Sequence, residues 1–280
     1  MIEWLVSPLT YAFMQRGFAA ALLVGVVCSI LGTYVVLKSM AFLGDALAHA
    51  VLPGVAVAYI LGGNLTVGAL IAAISVALSI GLLSREGVVK EDTAIGILFA
   101  AALSLGIALI SSIRTYAVDL SHILFGNLLG VSSSDLWLTG ILGLLVVLVI
   151  IVLYRPLLVI SFDPVLAAAL NLPINLFRTI LLILLAVTIV ISIQTVGVGL
   201  VSAMLVTPAA AAYLITRRLS HMMLLSAVIG AFSSVVGLYL SYYLNIASGA
   251  AIVLTATFIF LVAFFFSPTR GVFRRKVAYQ

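Results

Sequence analysis

Charge is what this sequence has least of. Asp, Glu, Lys and Arg make up 8% of its 280 residues, against about 25% in a soluble globular domain. Such a chain cannot clothe its surface in groups that water solvates, so a soluble domain is excluded. Cysteine is nearly missing as well. Cys28 stands alone, which leaves no intrachain disulfide, and a single thiol inside an apolar run is packing material. Of the eight acidic residues, Asp45 is nearly the only one within an apolar run, so the sequence holds no relay of buried carboxylates for proton coupling. It also lacks the G-x-x-x-x-G-K-[ST] loop that cradles nucleotide phosphates and the H-E-x-x-H pair of a zinc protease. Residues 1–17 carry none of the basic, apolar and cleavage regions of a signal peptide. With Trp4, Tyr11, Phe13 and Met14 among polar neighbours, they read as an interfacial segment.

What is present is apolar length. Hydrophobic residues make up 65% of the chain, and a span needs about 20 of them, so there is room for roughly eight to ten membrane helices and no separate soluble domain. Apolar runs fall at about 18–38, 41–61, 65–84, 93–112, 135–154, 175–195, 198–215, 221–243 and 248–267. The fold class is therefore all-α and polytopic, with nine spans, or eight if the stretch at 175–215, interrupted by Gly197 and Gly199, is one broken helix. The domain boundaries follow: an interfacial segment at 1–17, a transmembrane domain at 18–267 and a basic tail at 268–280.

Loop charge tests the count, because spans alternate sides and Lys and Arg favour the cytoplasm. With the tail (Arg270, Arg274, Arg275, Lys276) inside, nine spans also place Lys38, Arg85, Lys90, Arg155, Arg178, Arg217 and Arg218 inside. The opposite connections at 62–64, 195–198 and 244–247 hold neither Lys nor Arg. The formal charge of +5 thus orients spans and is no footprint of nucleic acid. Small residues at helical spacing (Gly17, Ala21, Gly25; Ala203, Thr207, Ala211) let helix backbones approach closely in lipid.

Three stretches carry chemistry. In the first, Asp45 and His49 stand at i and i+4 near the start of the second span, on one helix face. A carboxylate and an imidazole converging there are either half of a coordination site for a divalent transition metal or a pair that satisfies itself between helices. Pro53 has no N–H to offer the carbonyl of His49, and Pro208 does the same to the carbonyl of Met204. In the second, Asp163 stands as N-cap, Pro164 at the first helical position, and Asn171 with Pro173 as stop. This predicts a short cytoplasmic helix over 163–171 whose apolar side chains, Leu166 and Leu170 among them, either rest on lipid headgroups or await a docking partner. In the third, His221 enters the eighth span from the cytoplasmic side, as ligand, gate or interfacial residue. On the outer side, 113–134 is too apolar for a free loop and reads as a short helix or re-entrant cap, where Asp119 and His122 either receive an incoming cation or, as the preferred reading, pair with Arg114 or meet a partner protein.

Several motifs in order resemble one family. They are Gly32-Thr-Tyr-Val-Val-Leu-Lys38 followed by Phe42-Leu-Gly-Asp45-Ala-Leu-Ala-His49-Ala-Val-Leu-Pro-Gly54, then Leu124 to Gly130, Phe162 to Ala167, Val196 to Ala212, and Arg217-Arg218-Leu-Ser-His221. The chain resembles the membrane permease subunits of ATP-binding-cassette importers for manganese, zinc and iron. That resemblance implies a homodimeric permease of the bacterial plasma membrane, related in fold to the cobalamin and siderophore importers and without a permanently bound cofactor. It implies three partners besides lipid: a cytoplasmic ATPase dimer, an extracytoplasmic metal-binding protein and a second copy of the chain. It assigns Asp45, His49 and His221 to a pathway for the transported metal ion, manganese first and zinc or iron as alternatives. It makes 163–171, with Asp163, Pro164, Leu166 and Leu170, the coupling helix on the ATPase.

Overall fold

In lipid a backbone must satisfy its own polar groups, and a chain this apolar does so as helices. The computed structural model describes residues 7–85, 89–112 and 128–267. Among them are nine helices long and apolar enough to cross a membrane: α1 (Ala12–Leu37), α2 (Leu43–Ile60), α3 (Leu65–Leu83), α4 (Glu91–Ser111), α5 (Ser133–Val152), α8 (Ile174–Val196), α9 (Val198–Ile215), α10 (Leu219–Leu244) and α11 (Ser248–Phe266). Two short helices, α6 (Tyr154–Phe162) and α7 (Pro164–Ala169), lie between α5 and α8. The expected count of nine holds, and the physical reason is Gly197. Its backbone (φ 87°, ψ 163°) lies in a region essentially reserved for glycine, and it separates α8 from α9 with a single residue.

The first long helix begins at Ala12, six residues ahead of the apolar run, and a 3-10 turn at Ser7–Thr10 precedes it. Residues 12–17, read as part of an interfacial segment, are thus continuous with the first span. At about 1.5 Å per residue its 26 residues reach beyond a hydrocarbon layer of about 30 Å. The connection at 113–127, expected as part of an outer cap and holding Arg114, Asp119 and His122, lies outside the described residues, as does the tail at 268–280.

Helix α1 is the most enclosed of the spans. It packs against α5, α8, α9 and α10, while α2, α3 and α4 form a neighbouring group joined to it through α8 and α9. Where α1 crosses α9 the backbones nearly touch: a Cβ on Gly32 would stand 1.7 Å from the carbonyl oxygen of Leu205. Where α1 crosses α10, Ser226 donates to the carbonyl of Ser29 at 2.8 Å and Ser234 to that of Ala21 at 2.9 Å. In lipid such close packing and interhelical hydrogen bonds, rather than hydrophobicity, hold a bundle together.

The ends that meet agree with the sidedness read from loop charge. Arg178, near the start of α8, donates through Nε to Glu91, the first residue of α4, at 3.0 Å. It also donates through Nη1 to the carbonyl of Ser84 at 3.1 Å and through Nη2 to the Ser84 hydroxyl, just past α3. Lys38, past the end of α1, is half-buried beside this cluster. Burial pushes its ammonium below the ordinary lysine range and Arg178 adds to that, while the Glu91 carboxylate opposes. At the other end Gln194 of α8 donates to the Thr66 hydroxyl of α3 at 2.8 Å.

Candidate metal site

The second span is aimed by a tight reversal. Helix α1 ends with the Ser39 amide donating to the Val36 carbonyl and the Met40 amide to the Val35 carbonyl, a Schellman arrangement. Ser39 sits at φ 57°, where glycine is the usual occupant. Four residues later α2 begins at Leu43.

Asp45 lies in the first turn of α2, where the unpaired amides of a helix N-terminus favour a carboxylate. It is exposed. Among the described residues the one ion pair is Arg178 with Glu91, so none of their cations pairs with Asp45. His49, one turn on, is half-buried. Its Nδ1 lies 2.9 Å from the carbonyl oxygen of Asp45. A carbonyl only accepts, so Nδ1 is the donor, and in the neutral imidazole Nε2 then keeps its lone pair. This is the state in which metal-binding imidazoles are held, with one nitrogen donating to a carbonyl and the other left to ligate. The His49 ring also meets Phe99 of α4 edge to face, with centroids 5.4 Å apart at 89°. Pro53 lies within α2 and has no amide hydrogen for the His49 carbonyl.

The pair therefore presents one carboxylate and one imidazole nitrogen, donors that suit manganese(II), iron(II) or zinc. Among the described residues no three His, Cys, Asp or Glu side chains converge as a metal-binding group. His221, in the first turn of α10, is exposed, with its Nδ1 3.4 Å from the Ser220 hydroxyl. It is not gathered with Asp45 and His49. It does share their end of the molecule, because its neighbour Met222 packs in one cluster with Val36 and Leu37 at the end of α1.

The helix expected over 163–171 is shorter than that stretch. Helix α7 spans Pro164–Ala169, and Asp163 caps it by accepting from the Leu166 amide at 2.9 Å. Asn171, at φ 53°, ends it in a second Schellman arrangement, with the Leu172 amide donating to the Ala167 carbonyl at 3.0 Å. Ala167 is buried, whereas Val165, Leu166, Leu170 and the preceding Phe162 are exposed, Val165 at 80%. Water does not favour such a face.

Sequence reasoning missed Phe99 and the Arg178–Glu91–Ser84 cluster. Phe99 is one of 14 phenylalanines and carries no local signal. The cluster joins residues 87 and 94 positions apart, and only the charges of Glu91 and Arg178 at cytoplasmic span ends could have suggested it.

Nine apolar helices, with an aspartate and a histidine one turn apart in the second of them, define a multi-pass membrane protein of the kind that carries transport. The connections at 62–64, 195–198 and 244–247 hold no basic residue, and Lys38, Arg85, Lys90, Arg155, Arg178, Arg217 and Arg218 fall at the alternate ones. The chain belongs to the ABC 3 transport family, whose model matches residues 10–267. It is 50% identical over 267 residues to the manganese transport system membrane protein MntC of Halalkalibacterium halodurans, covering 95% of this chain and 91% of that one. Its identity to the manganese import system permease protein ScaB of Streptococcus gordonii is 44%, over 95% of this chain and 96% of that one. Among solved structures, PsaBC from Streptococcus pneumoniae in complex with Fab is similar at a TM-score of 0.86 and 40% identity, over 99% of this chain and 100% of that chain.

Proposed function

We propose that this chain is the permease subunit of an ATP-driven manganese importer, working as a pair of copies with the ion carried between them. The observation that carries the reading is the His49 ring, whose Nδ1 is engaged by the Asp45 carbonyl. Nε2 is thereby left for an ion beside an exposed carboxylate. Two copies would contribute two such pairs, four donors of mixed oxygen and nitrogen character, which suits manganese, iron(II) or zinc better than the all-oxygen shell of calcium. Relatives at 44% and 50% identity that are named for manganese support that metal over the other two.

In this reading a metal-binding protein docks on the outer face near 113–134 and releases its ion toward Asp45 and His49. A cytoplasmic ATPase receives α7 through Leu166 and Leu170, with Asp163 and Pro164 fixing the start of that helix. ATP binding and hydrolysis in the partner move α7 and tilt the spans, and His221 gates the exit. Few ligands per copy keep the ion releasable.

Reconstitution tests this. Radioactive manganese should enter proteoliposomes only when permease, ATPase, binding protein and ATP are all present. Uptake by the chain alone would overturn the reading in favour of a self-sufficient carrier.

A further inference from the structure

We infer that Phe99 is a positioning residue for the transported ion, acting by holding the His49 imidazole in its ligating orientation. The inference rests on the reading of Asp45 and His49 as the ion's ligands.

Two contacts define the His49 ring. The hydrogen bond from Nδ1 to the Asp45 carbonyl fixes which nitrogen is protonated, and the perpendicular packing against Phe99 fixes how the ring stands. A half-buried imidazole with the first contact alone can turn about its outer torsion, which is broad for such rings, and that rotation puts Cδ2 in the place of Nδ1 and Cε1 in the place of Nε2, which turns the ligating nitrogen away. Perpendicular rings set the positive edge of one against the negative face of the other. The preference is electrostatic, and an aliphatic side chain of similar volume cannot supply it.

Phe99 is itself held on both sides along α4. Eight residues before it, Glu91 is gripped by Arg178 at 3.0 Å. Seven residues after it, Gly106 lies so close to α2 that a Cβ there would stand 2.8 Å from the Cβ of Leu52 and 3.2 Å from Pro53. Pro53 is one turn beyond His49 on the same helix. Helix α4 is thus pinned to α8 below the His49 ring and to α2 above it, and Phe99 projects from the pinned stretch.

The test is manganese(II) binding to the purified permease–ATPase complex by equilibrium dialysis. Phe99→Leu and Phe99→Met should each weaken binding roughly two- to twelvefold, the weight of one edge-to-face ring pair. Phe99→Tyr should restore it. Wild-type affinity in the assembled Leu or Met variant overturns the inference, as does a Tyr variant as weak as Leu, because a space-filling role would spare the aliphatic forms. Two aliphatic variants keep the test alive if one fails to assemble. His49→Ala is run alongside. If it still binds manganese as wild type, the ligand reading itself fails. If it does not bind while Phe99→Leu is normal, only the role of Phe99 falls.

Discussion

Replacing Gly32 with alanine puts one methyl group where the structure has no room. Its Cβ would stand 1.7 Å from the carbonyl oxygen of Leu205 and 2.7 Å from the carbonyl carbon, both backbone atoms that no side-chain rotation can clear. Bringing the oxygen contact to even 3.0 Å requires α1 and α9 to part by at least about 1.3 Å, the difference between those two distances. A radial gap of about 0.5–1 Å already forfeits a quarter to a half of each dispersion contact along the seam, and Leu205 and Ser29, whose hydroxyl points to the Met204 carbonyl, are fully buried there. The destabilisation should therefore reach the upper end of the usual overpacking range, about 3 kcal/mol. It should also reach the ion pathway, since Leu205 Cδ1 lies 3.2 Å from where a Cβ on Gly44 would be, one residue before Asp45. Thermal unfolding of the purified permease in one detergent reads the first effect, and manganese uptake in the reconstituted complex reads the second. Gly140→Ala is the control, because its nearest neighbour would be an ordinary 3.7 Å contact. Equal thermal stability of Gly32→Ala, Gly140→Ala and wild type would refute the claim that the α1–α9 crossing is set by the missing side chain.

Asp45→Ala and His49→Ala should each abolish manganese uptake while co-purification with the ATPase is unchanged; normal uptake from both would remove the ion route. Leu166→Asp or Leu170→Asp should leave the permease folded but lower substrate-stimulated ATP hydrolysis and uptake at least tenfold, read in the assembled complex. Arg178→Lys keeps a charge but loses the planar fork that reaches Glu91 and Ser84 together. Arg178→Ala should cost about 3 kcal/mol of stability by stranding Glu91, with the lysine variant between, as measured by thermal unfolding. Because burial lowers the Lys38 ammonium in the folded state, the unfolded chain binds more protons as pH approaches lysine's ordinary 10.5. Stability should therefore rise with pH in that alkaline window relative to Lys38→Met. Parallel curves for the two proteins between pH 8 and 10 would contradict this.

Much of the fold was legible because a membrane asks little of a sequence beyond length, and nine apolar runs became nine spanning helices. Gly197 was visible as an interruption, but whether it kinked one helix or divided two depended on a backbone angle that no run of letters displays. The cap at Asp163 and the stop at Asn171 were readable because their side-chain chemistry is local. Contacts between spans were not. A helix that is apolar all round gives no stripe to say which side faces its neighbours, so the burial of α1 and its approach to Leu205 could not be foreseen from Gly32. The spacing of Asp45 and His49 was plain in the sequence. The proton on Nδ1 and the ring of Phe99 were not, since one is a backbone contact and the other comes from a helix half a hundred residues away.

The second Schellman arrangement bears on stiffness. Between the last residue of α7 and the first of α8 stand Leu170, Asn171, Leu172 and Pro173. Three of their amides are tied back to α7, and the fourth residue has a ring-locked φ. A joint of that kind has little slack. A displacement of α7 would therefore be passed to Ile174, and one turn further on to Arg178, which is bonded to the start of α4 and the end of α3. Lengthening the joint with flexible residues would let the surface helix swing while the spans stood still.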